Sequence, residues 1–127
     1  MPGTLTIPSP SPVTEEEPAL HVCVWDHVAR TVAWLDADGG RGPHEIAVRV
    51  MKIAEETGEA VSAYIGLTGQ NPRKGVTHTW EDVQGELCDV VITALVALRT
   101  LTPDTREVFT RHLEKVTARS LEPSAPG

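Results

Sequence analysis

Two pairs of acidic residues stand out in the sequence because they lie beside residues that a helix has to bury. Glu56 and Glu59 lie in the stretch KIAEETGEAVSAYI (52–65), and Glu86 and Asp89 lie in ELCDVVITALVAL (86–98). In an α-helix, residues three apart lie on one face, about 5–6 Å from each other. Each pair therefore presents two carboxylates to the same place, as metal binding or acid–base chemistry would require.

The surroundings of Asp89 make the second pair the more informative one. Its neighbours in sequence are almost all apolar, so a helical bundle is expected to place Asp89 inside. A buried carboxylate without a partner costs several kcal/mol. Protonation, pairing with a basic side chain or metal binding would each relieve that cost. Lys52 is the only base close to the pairs in sequence, since the third predicted helix has none before Arg99. One lysine cannot neutralise four carboxylates, which favours metal binding.

The ligand types narrow the choice of metal. All four predicted ligands are carboxylates, without Cys or His at the pairing positions, which disfavours zinc. Di-iron bundles also use inward carboxylates but typically show Glu-x-x-His, whereas the i+3 residues here are Glu59 and Asp89. Hard octahedral cations fit, so the sequence favours Mg²⁺, with Mn²⁺ as a substitute. The alternative is that each pair is an ordinary solvated helix face.

Four helices are predicted to position these side chains, at about 19–37, 43–67, 80–101 and 103–120. Pro43 suits the first turn of the second helix. Thr79 followed by Asp82 predicts a capping box at the start of the third. No segment alternates at period two, so the fold class is all-α, a four-helix bundle. Apolar stripes predict the buried faces of three helices: Leu20, Val24, Val28, Val32 and Leu35 in the first; Ile46, Val50, Ile53, Thr57, Val61 and Tyr64 in the second; Val108, Phe109, Leu113 and Val116 in the fourth.

The second and third helices are apolar around most of their circumference, which one small chain cannot cover. Val48, Met51, Val91 and Leu95 are therefore expected to meet a second subunit in a homodimer or homotetramer. The three tryptophans, Trp25, Trp34 and Trp80, offer a surface for stacking a nucleotide base, although core packing is the expected role of at least two of them.

The ends of the chain and its overall charge set the remaining expectations. Residues 1–18 hold five prolines and are predicted to form a disordered arm; 19–120 form the helical domain, and 121–127 a disordered tail. The net charge of −7 argues against nucleic acid or an anionic membrane as the main partner. The longest apolar run, 87–98, is too short for a membrane span. No signal peptide is visible, and Cys23 and Cys88 are expected to be free buried thiols of a cytoplasmic protein.

The arrangement of acids resembles a known family. Glu55 followed by E56-T57-G58-E59, and then E86-L87-C88-D89 after a helix break, is similar to the EExxE…ExxD signature of the MazG-like all-α NTP pyrophosphatase superfamily. The resemblance covers roughly residues 20–120. It implies a homodimeric or tetrameric enzyme that binds Mg²⁺ and hydrolyses nucleoside triphosphates to the monophosphate and pyrophosphate, often clearing noncanonical nucleotides.

By position, the resemblance implies that Glu56, Glu59, Glu86 and Asp89 are the metal ligands. Glu55 would orient or deprotonate the attacking water. His44, at the start of the second helix, falls where similar proteins often have a polar residue near the nucleotide.

Contacts to the substrate are less well defined. Similar proteins often carry Lys-Asn followed by a basic residue on the last helix. Here Lys115 and Arg119 keep the two basic residues, but Val116 stands in place of the Asn. This departure leaves open whether the activity is kept and which base would be recognised. The loop residues Asn71, Arg73 and Lys74 are further predicted contacts to phosphate, with a solvated turn as the alternative.

Two other functions compete with NTP hydrolysis. The chain could be a pyrophosphohydrolase that acts on a phosphoribosyl-nucleotide, or a noncatalytic metal-binding helical dimer with an interaction or regulatory role. A panel of substrates separates the first of these from an NTP pyrophosphohydrolase.

Overall fold

The computed structural model describes residues 5–10 and 23–121, and within them it contains four α-helices and no strand. The helices are α1 (Val24–Gly39), α2 (Pro43–Thr68), α3 (Trp80–Leu101) and α4 (Thr105–Leu121). The all-α class predicted from the sequence is confirmed. Most of the predicted arm and tail lies outside the described residues. Within the arm, residues 5–10 are described and form no regular element; within the tail, only Leu121 is described, and it ends α4.

The helix ends follow from local chemistry. Pro43 is the first residue of α2, where its missing N–H leaves no hydrogen bond unmade. The predicted capping box is present: Thr79 accepts a hydrogen bond from the backbone of Asp82, whose side chain accepts one from the backbone of Thr79. Thr102 caps the C-terminal end of α3, and α4 begins at Thr105 rather than at the predicted 103. Residues 19–22 of the predicted first helix, Leu20 included, lie outside the described residues.

The helices pack mainly as an antiparallel pair with α1 against one side. The contact between α2 and α3 is the most extensive, α1 packs on α3, and α4 touches α3 only over a short stretch. The core is formed by Val28 and Val32 of α1 with Leu95 and Val96 of α3. Its residues are aliphatic, in keeping with a chain that has few aromatic side chains.

The loop after α2 crosses that helix closely at Gly66. The backbone N–H of Thr77 donates to the carbonyl of Gly66 at 2.9 Å. A Cβ at Gly66 would lie only 2.6 Å from Oγ1 of Thr77 and closer still to the ring of His78. Glycine at this position therefore allows the loop to pack onto α2 just before α3 begins.

The predicted burial of α4 is wrong for the single chain. Val108, Phe109, Leu113 and Val116 are all exposed, to between 36 and 51%. The periodicity correctly places them in a helix, but α4 has only a small contact with α3, so most of the stripe stays uncovered by the described helices. The clearest side-chain contact of α4 with another helix joins the rings of Phe109 and Trp25, whose centroids lie 6.0 Å apart.

Several other burial predictions are corrected by the structure. In the α2 stripe, Val50, Val61 and Tyr64 are exposed, as is Thr57. Leu95 lies in the core of its own chain and is not available to a partner, whereas Val48, Met51 and Val91 are exposed as predicted. Trp34 is 69% exposed, while Trp25 packs against the core. Both cysteines are free, but both are exposed. The exposed helical residues among these lie on helix faces that the other described helices leave largely uncovered.

Within the described residues, no helix has the length and apolar character needed to cross a membrane.

Candidate metal centre

Three of the four predicted ligands come together between α2 and α3. Glu56, Glu86 and Asp89 each offer one carboxylate oxygen, and these oxygens all lie within 4.8 Å of one another. We call these three residues the carboxylate cluster. Glu56 and Glu86 are half-buried, and Asp89 is exposed.

The antiparallel packing of α2 and α3 brings the cluster together. At one end of the pair the rings of Tyr64 and Trp80 lie 6.2 Å apart, and at the other Arg49 contacts Thr100. Glu56 lies between Arg49 and Tyr64 on α2, and it therefore lies level with the third turn of α3, where Glu86 and Asp89 are one turn apart.

Two details of the predicted site differ from expectation. Asp89 is exposed rather than inside the bundle, and its apolar neighbours Leu87 and Val91 are also uncovered, at 53 and 58%. Glu59 is exposed and is not among the three residues whose oxygens converge. It lies one turn beyond Glu56 on α2, so its carboxylate would have to swing toward the cluster to share a ligand.

Lys52 lies at the edge of the carboxylate cluster. Its Nζ is 2.7 Å from a carboxylate oxygen of Glu55 and 3.4 Å from one of Glu56. The hydrogen bond to Glu55, followed by the weaker interaction with Glu56, raises the pKa of Lys52. The sequence predicted the pairing of Lys52 with Glu56. The shorter contact, however, goes to Glu55, the residue implied as the general base.

The predicted substrate contacts lie apart from the cluster. Asn71 organises a turn: its side chain accepts a hydrogen bond from the backbone of Arg73, and its carbonyl accepts one from Lys74. Lys115 and Arg119 are exposed on α4 and form no ion pair with another described residue. His44 is exposed in the first turn of α2. None of these side chains contacts the three acids in the part of the chain that the structure describes.

A second charged cluster, which sequence reasoning missed, joins the other end of the α2–α3 pair to α1. The side chain of Arg49 is only 4% exposed and is 2.7 Å from Asp36 and 3.1 Å from Glu45. It also donates to the hydroxyl of Thr100 and to the carbonyl of Gly40, at 3.3 and 3.0 Å. We call this group of residues the Arg49 cluster.

The Arg49 cluster satisfies its own charges. Hydrogen bonds from Arg49 and then from Arg41 hold the pKa of Asp36 below its ordinary value. Burial alone would lower the pKa of Arg49, but hydrogen bonds to Asp36 and Glu45 more than offset it, and the pKa is raised. The ion pair of Glu45 with Arg49 at i,i+4 was the one signal in the sequence, because its members are one helical turn apart.

Comparisons with protein-family models, with curated proteins and with solved structures find no match to this chain.

The carboxylate cluster has the donor chemistry of a site for a hard divalent cation. It offers oxygen ligands only, from half-buried and exposed side chains, and the sole described base beside it is Lys52, which it shares with Glu55. Mg²⁺ and Mn²⁺ bind carboxylate oxygens and commonly keep several waters, so a site that is open on one side suits them.

Proposed function

We propose that this protein is a Mg²⁺-dependent nucleoside triphosphate pyrophosphohydrolase of the MazG-like type. The observation that carries the proposal is the convergence of Glu56, Glu86 and Asp89, three of the four acids of the ExxE and ExxD motifs, from two different helices. The all-helical architecture and the position of Glu55 beside the cluster also support it.

The cluster residues would hold one or more Mg²⁺ ions, with Glu59 joining them after its side chain turns inward. Bound Mg²⁺ supplies charge neutralisation for phosphate oxygens and lowers the pKa of a coordinated water. Such a cation also lets an acidic site accept a polyanion, since a chain of net charge −7 would otherwise repel a triphosphate.

Glu55 would orient or deprotonate the attacking water, and its ion pair with Lys52 would control when its carboxylate is free to do so. Glu55 is exposed and has only Lys52 as an ion-pair partner among the described residues, so a change in that pairing would free its carboxylate to orient or deprotonate a water. A general base must reach the proton it abstracts, directly or through one water. Glu55 would act in this way from the edge of the site rather than as a ligand.

The remaining charge would come from loop and α4 side chains. Arg73 and Lys74 lie on the turn organised by Asn71, and Lys115 and Arg119 are exposed on α4. These bases, with the Asn71 amide, would contact phosphates or the base after closure of the loop or through a second subunit. Val116 stands in place of the expected Asn, so the contact that this Asn makes in similar proteins would be missing here.

A homo-oligomer, a dimer or a dimer of dimers, is part of the proposal. Val48 and Met51 on α2 and Leu87 and Val91 on α3 are exposed on the two helices that carry the cluster. Light scattering at micromolar concentration should give a multiple of the 13.7 kDa chain mass; a mass of one chain would refute this part.

The direct test is pyrophosphate release from a panel of canonical and modified nucleoside triphosphates, with Mg²⁺ and with Mn²⁺. Release from at least one NTP, abolished by EDTA and restored by Mg²⁺, is the expected result. Release only from a phosphoribosyl-nucleotide would replace the proposed substrate class, and metal binding without any turnover would replace the enzyme by a noncatalytic metal-binding protein. A cytoplasmic location is proposed with the function.

The role of Glu55 needs a separate measurement. Glu55→Gln should bind Mg²⁺ and a nonhydrolysable NTP analogue nearly as well as wild type while kcat falls about 10²-fold or more, the usual effect of losing a general base. Calorimetry and turnover together test both halves. A wild-type rate in Glu55→Gln would mean that the water is activated without this side chain.

A further inference from the structure

Residues 5–10 contact the helical domain at the aromatic pair formed by Tyr64 and Trp80. Nε1 of Trp80 donates a hydrogen bond of 3.0 Å to the backbone carbonyl of Thr6, which is 74 residues away in sequence. The rings of Tyr64 and Trp80 lie 6.2 Å apart with an interplanar angle of 49°. Tyr64 is exposed and Trp80 half-buried, so the pair forms a surface and not part of the core.

Apolar burial does not explain why the segment lies there. Ile7 is 77% exposed and Leu5 is 42% exposed, so the two large apolar side chains of the segment stay largely in water. A polar contact holds it instead, the hydrogen bond from the indole N–H of Trp80 to a peptide carbonyl of the segment. The indole N–H can only donate a hydrogen bond, and it usually finds an acceptor, such as a carbonyl, when it is shielded from water.

The segment has the chemistry of a peptide that aromatic surfaces recognise. Its sequence is LTIPSP, in which Pro8 and Pro10 fix their own φ and push Ile7 and Ser9 toward extended conformations. A segment that is extended before binding loses little entropy when it is held, and its carbonyls point outward as acceptors. Aromatic-lined grooves bind proline-containing peptides for this reason.

We propose that the Tyr64–Trp80 surface is a recognition site for an extended, proline-containing peptide, and that the chain's own residues 5–10 are its occupant. Trp80 supplies the hydrogen bond that fixes the register, and the two rings supply the surface for the prolines. The site lies at the end of the α2–α3 pair opposite to Arg49 and does not depend on the proposed hydrolase activity.

The three indole N–H signals of ¹⁵N-tryptophan-labelled protein provide the test. Each signal is assigned with the variants Trp25→Phe, Trp34→Phe and Trp80→Phe. Deleting residues 1–10 should shift the Trp80 signal and speed its exchange with water by about fivefold or more, as expected for the loss of one net hydrogen bond. The Trp34 signal, from an indole that is 69% exposed on another helix, serves as the internal control and should not move.

A synthetic LTIPSP peptide, added to the truncated chain, should restore the Trp80 signal. The same peptide with both prolines replaced by alanine should bind several-fold more weakly. Circular dichroism verifies that the truncated chain keeps its helices.

Three results would overturn the proposal. An unchanged Trp80 signal after truncation would show that the segment is not held there. Equal binding of the alanine peptide would remove the role of the prolines. A Trp80 signal that depends on the concentration of the full chain would mean that the segment binds a second copy rather than its own chain.

Discussion

The two charged clusters on α2 differ in how their charge is balanced. Arg49 and Glu56 are two helical turns apart, about 10 Å along the axis, and both clusters extend to α3. In the Arg49 cluster, a buried guanidinium lies between two carboxylates and also donates to a hydroxyl and a carbonyl. Every charge there has a partner within the chain.

The carboxylate cluster has no comparable cation among the residues that the structure describes. Glu56, Glu86 and Asp89 converge, and among the described bases only Lys52 approaches, at 3.4 Å from Glu56 and closer to Glu55. The same helix pair thus carries one cluster that is complete in itself and one that a bound cation would complete. The first is expected to serve stability, the second ligand binding, and substitutions in each should affect different measurements.

The largest effect is expected from removing a ligand of the carboxylate cluster. Glu86→Gln and Asp89→Asn should each lower pyrophosphate release about 10³-fold, since a bound metal contributes several kcal/mol to such reactions and an amide is a poor ligand for a hard dication. The measurement is steady-state turnover with saturating Mg²⁺. In EDTA both variants should be at least as stable as wild type, because each removes one of three negative charges that lie close together.

Glu81→Gln is the matched control, because Glu81 is exposed in the first turn of α3 and lies outside the cluster. Glu81→Gln should turn over at close to the wild-type rate.

Glu59→Gln tests the fourth ligand and should lower turnover less than Asp89→Asn, since Glu59 has to move to reach the site. Wild-type turnover in Asp89→Asn would remove the cluster from the mechanism.

In the Arg49 cluster, the expected loss is of stability. Arg49→Met should lower the free energy of unfolding by about 3 kcal/mol, because it leaves the carboxylates of Asp36 and Glu45 without their buried partner. Urea unfolding measures this change. Arg41→Met is the control: Arg41 also pairs with Asp36, but its side chain is 48% exposed, so its loss should cost less than about 1 kcal/mol. Equal losses in both variants would contradict the special role of Arg49.

The sequence predicted the parts of this comparison that depend on local spacing. The capping box at Thr79 and the start of α2 at Pro43 follow from local residue types. The approach of Glu56 to Glu86 and Asp89 follows from helical periodicity and from the antiparallel packing of consecutive helices. The Arg49 cluster was missed because its members come from three helices and the α1–α2 connection, far apart in sequence. The i,i+4 spacing links only Glu45 to Arg49, and no spacing rule links Arg49 to Asp36, Gly40 or Thr100.

The burial predictions failed for a related reason. The periodicity of α4 shows which side of the helix is apolar but not whether anything packs against it, so Phe109 and Leu113 were predicted to be buried and are exposed. Asp89 is the same case on α3: an apolar sequence around it does not ensure that the chain covers it. A single sequence cannot show whether a second copy supplies the missing cover.

Metal addition should stabilise one cluster and leave the other unaffected. Mg²⁺ at about 100 times its Kd should stabilise the wild-type chain by about 2.7 kcal/mol, which raises the thermal midpoint by several degrees, and EDTA should reverse the shift. Asp89→Asn should lose most of this response. Arg49→Met should keep it in full, because the two sites share no partner and their effects should add. An unchanged midpoint in metal-free wild-type protein would contradict the metal site.

The smallest expected effect is a pH dependence that comes from the Arg49 cluster. Hydrogen bonds from Arg49 and Arg41 lower the pKa of Asp36 in the folded chain. A carboxyl group whose pKa is lower when folded stabilises the protein above its unfolded pKa, about 3.9, and loses that contribution as the pH falls through the folded value. The difference in unfolding free energy between wild type and Asp36→Asn should therefore be constant from pH 7 to about pH 5 and shrink in more acidic solution. Urea unfolding at several pH values, with EDTA present to keep the metal site out of the measurement, gives this difference directly.

Asp38→Asn is the matched control, because Asp38 is exposed on the same helix and forms no ion pair with a described residue. A difference for Asp36→Asn that stays constant down to pH 3 would mean that the two arginines do not stabilise the charged form of Asp36, and the Arg49 cluster would then owe its stability to packing and hydrogen bonding alone.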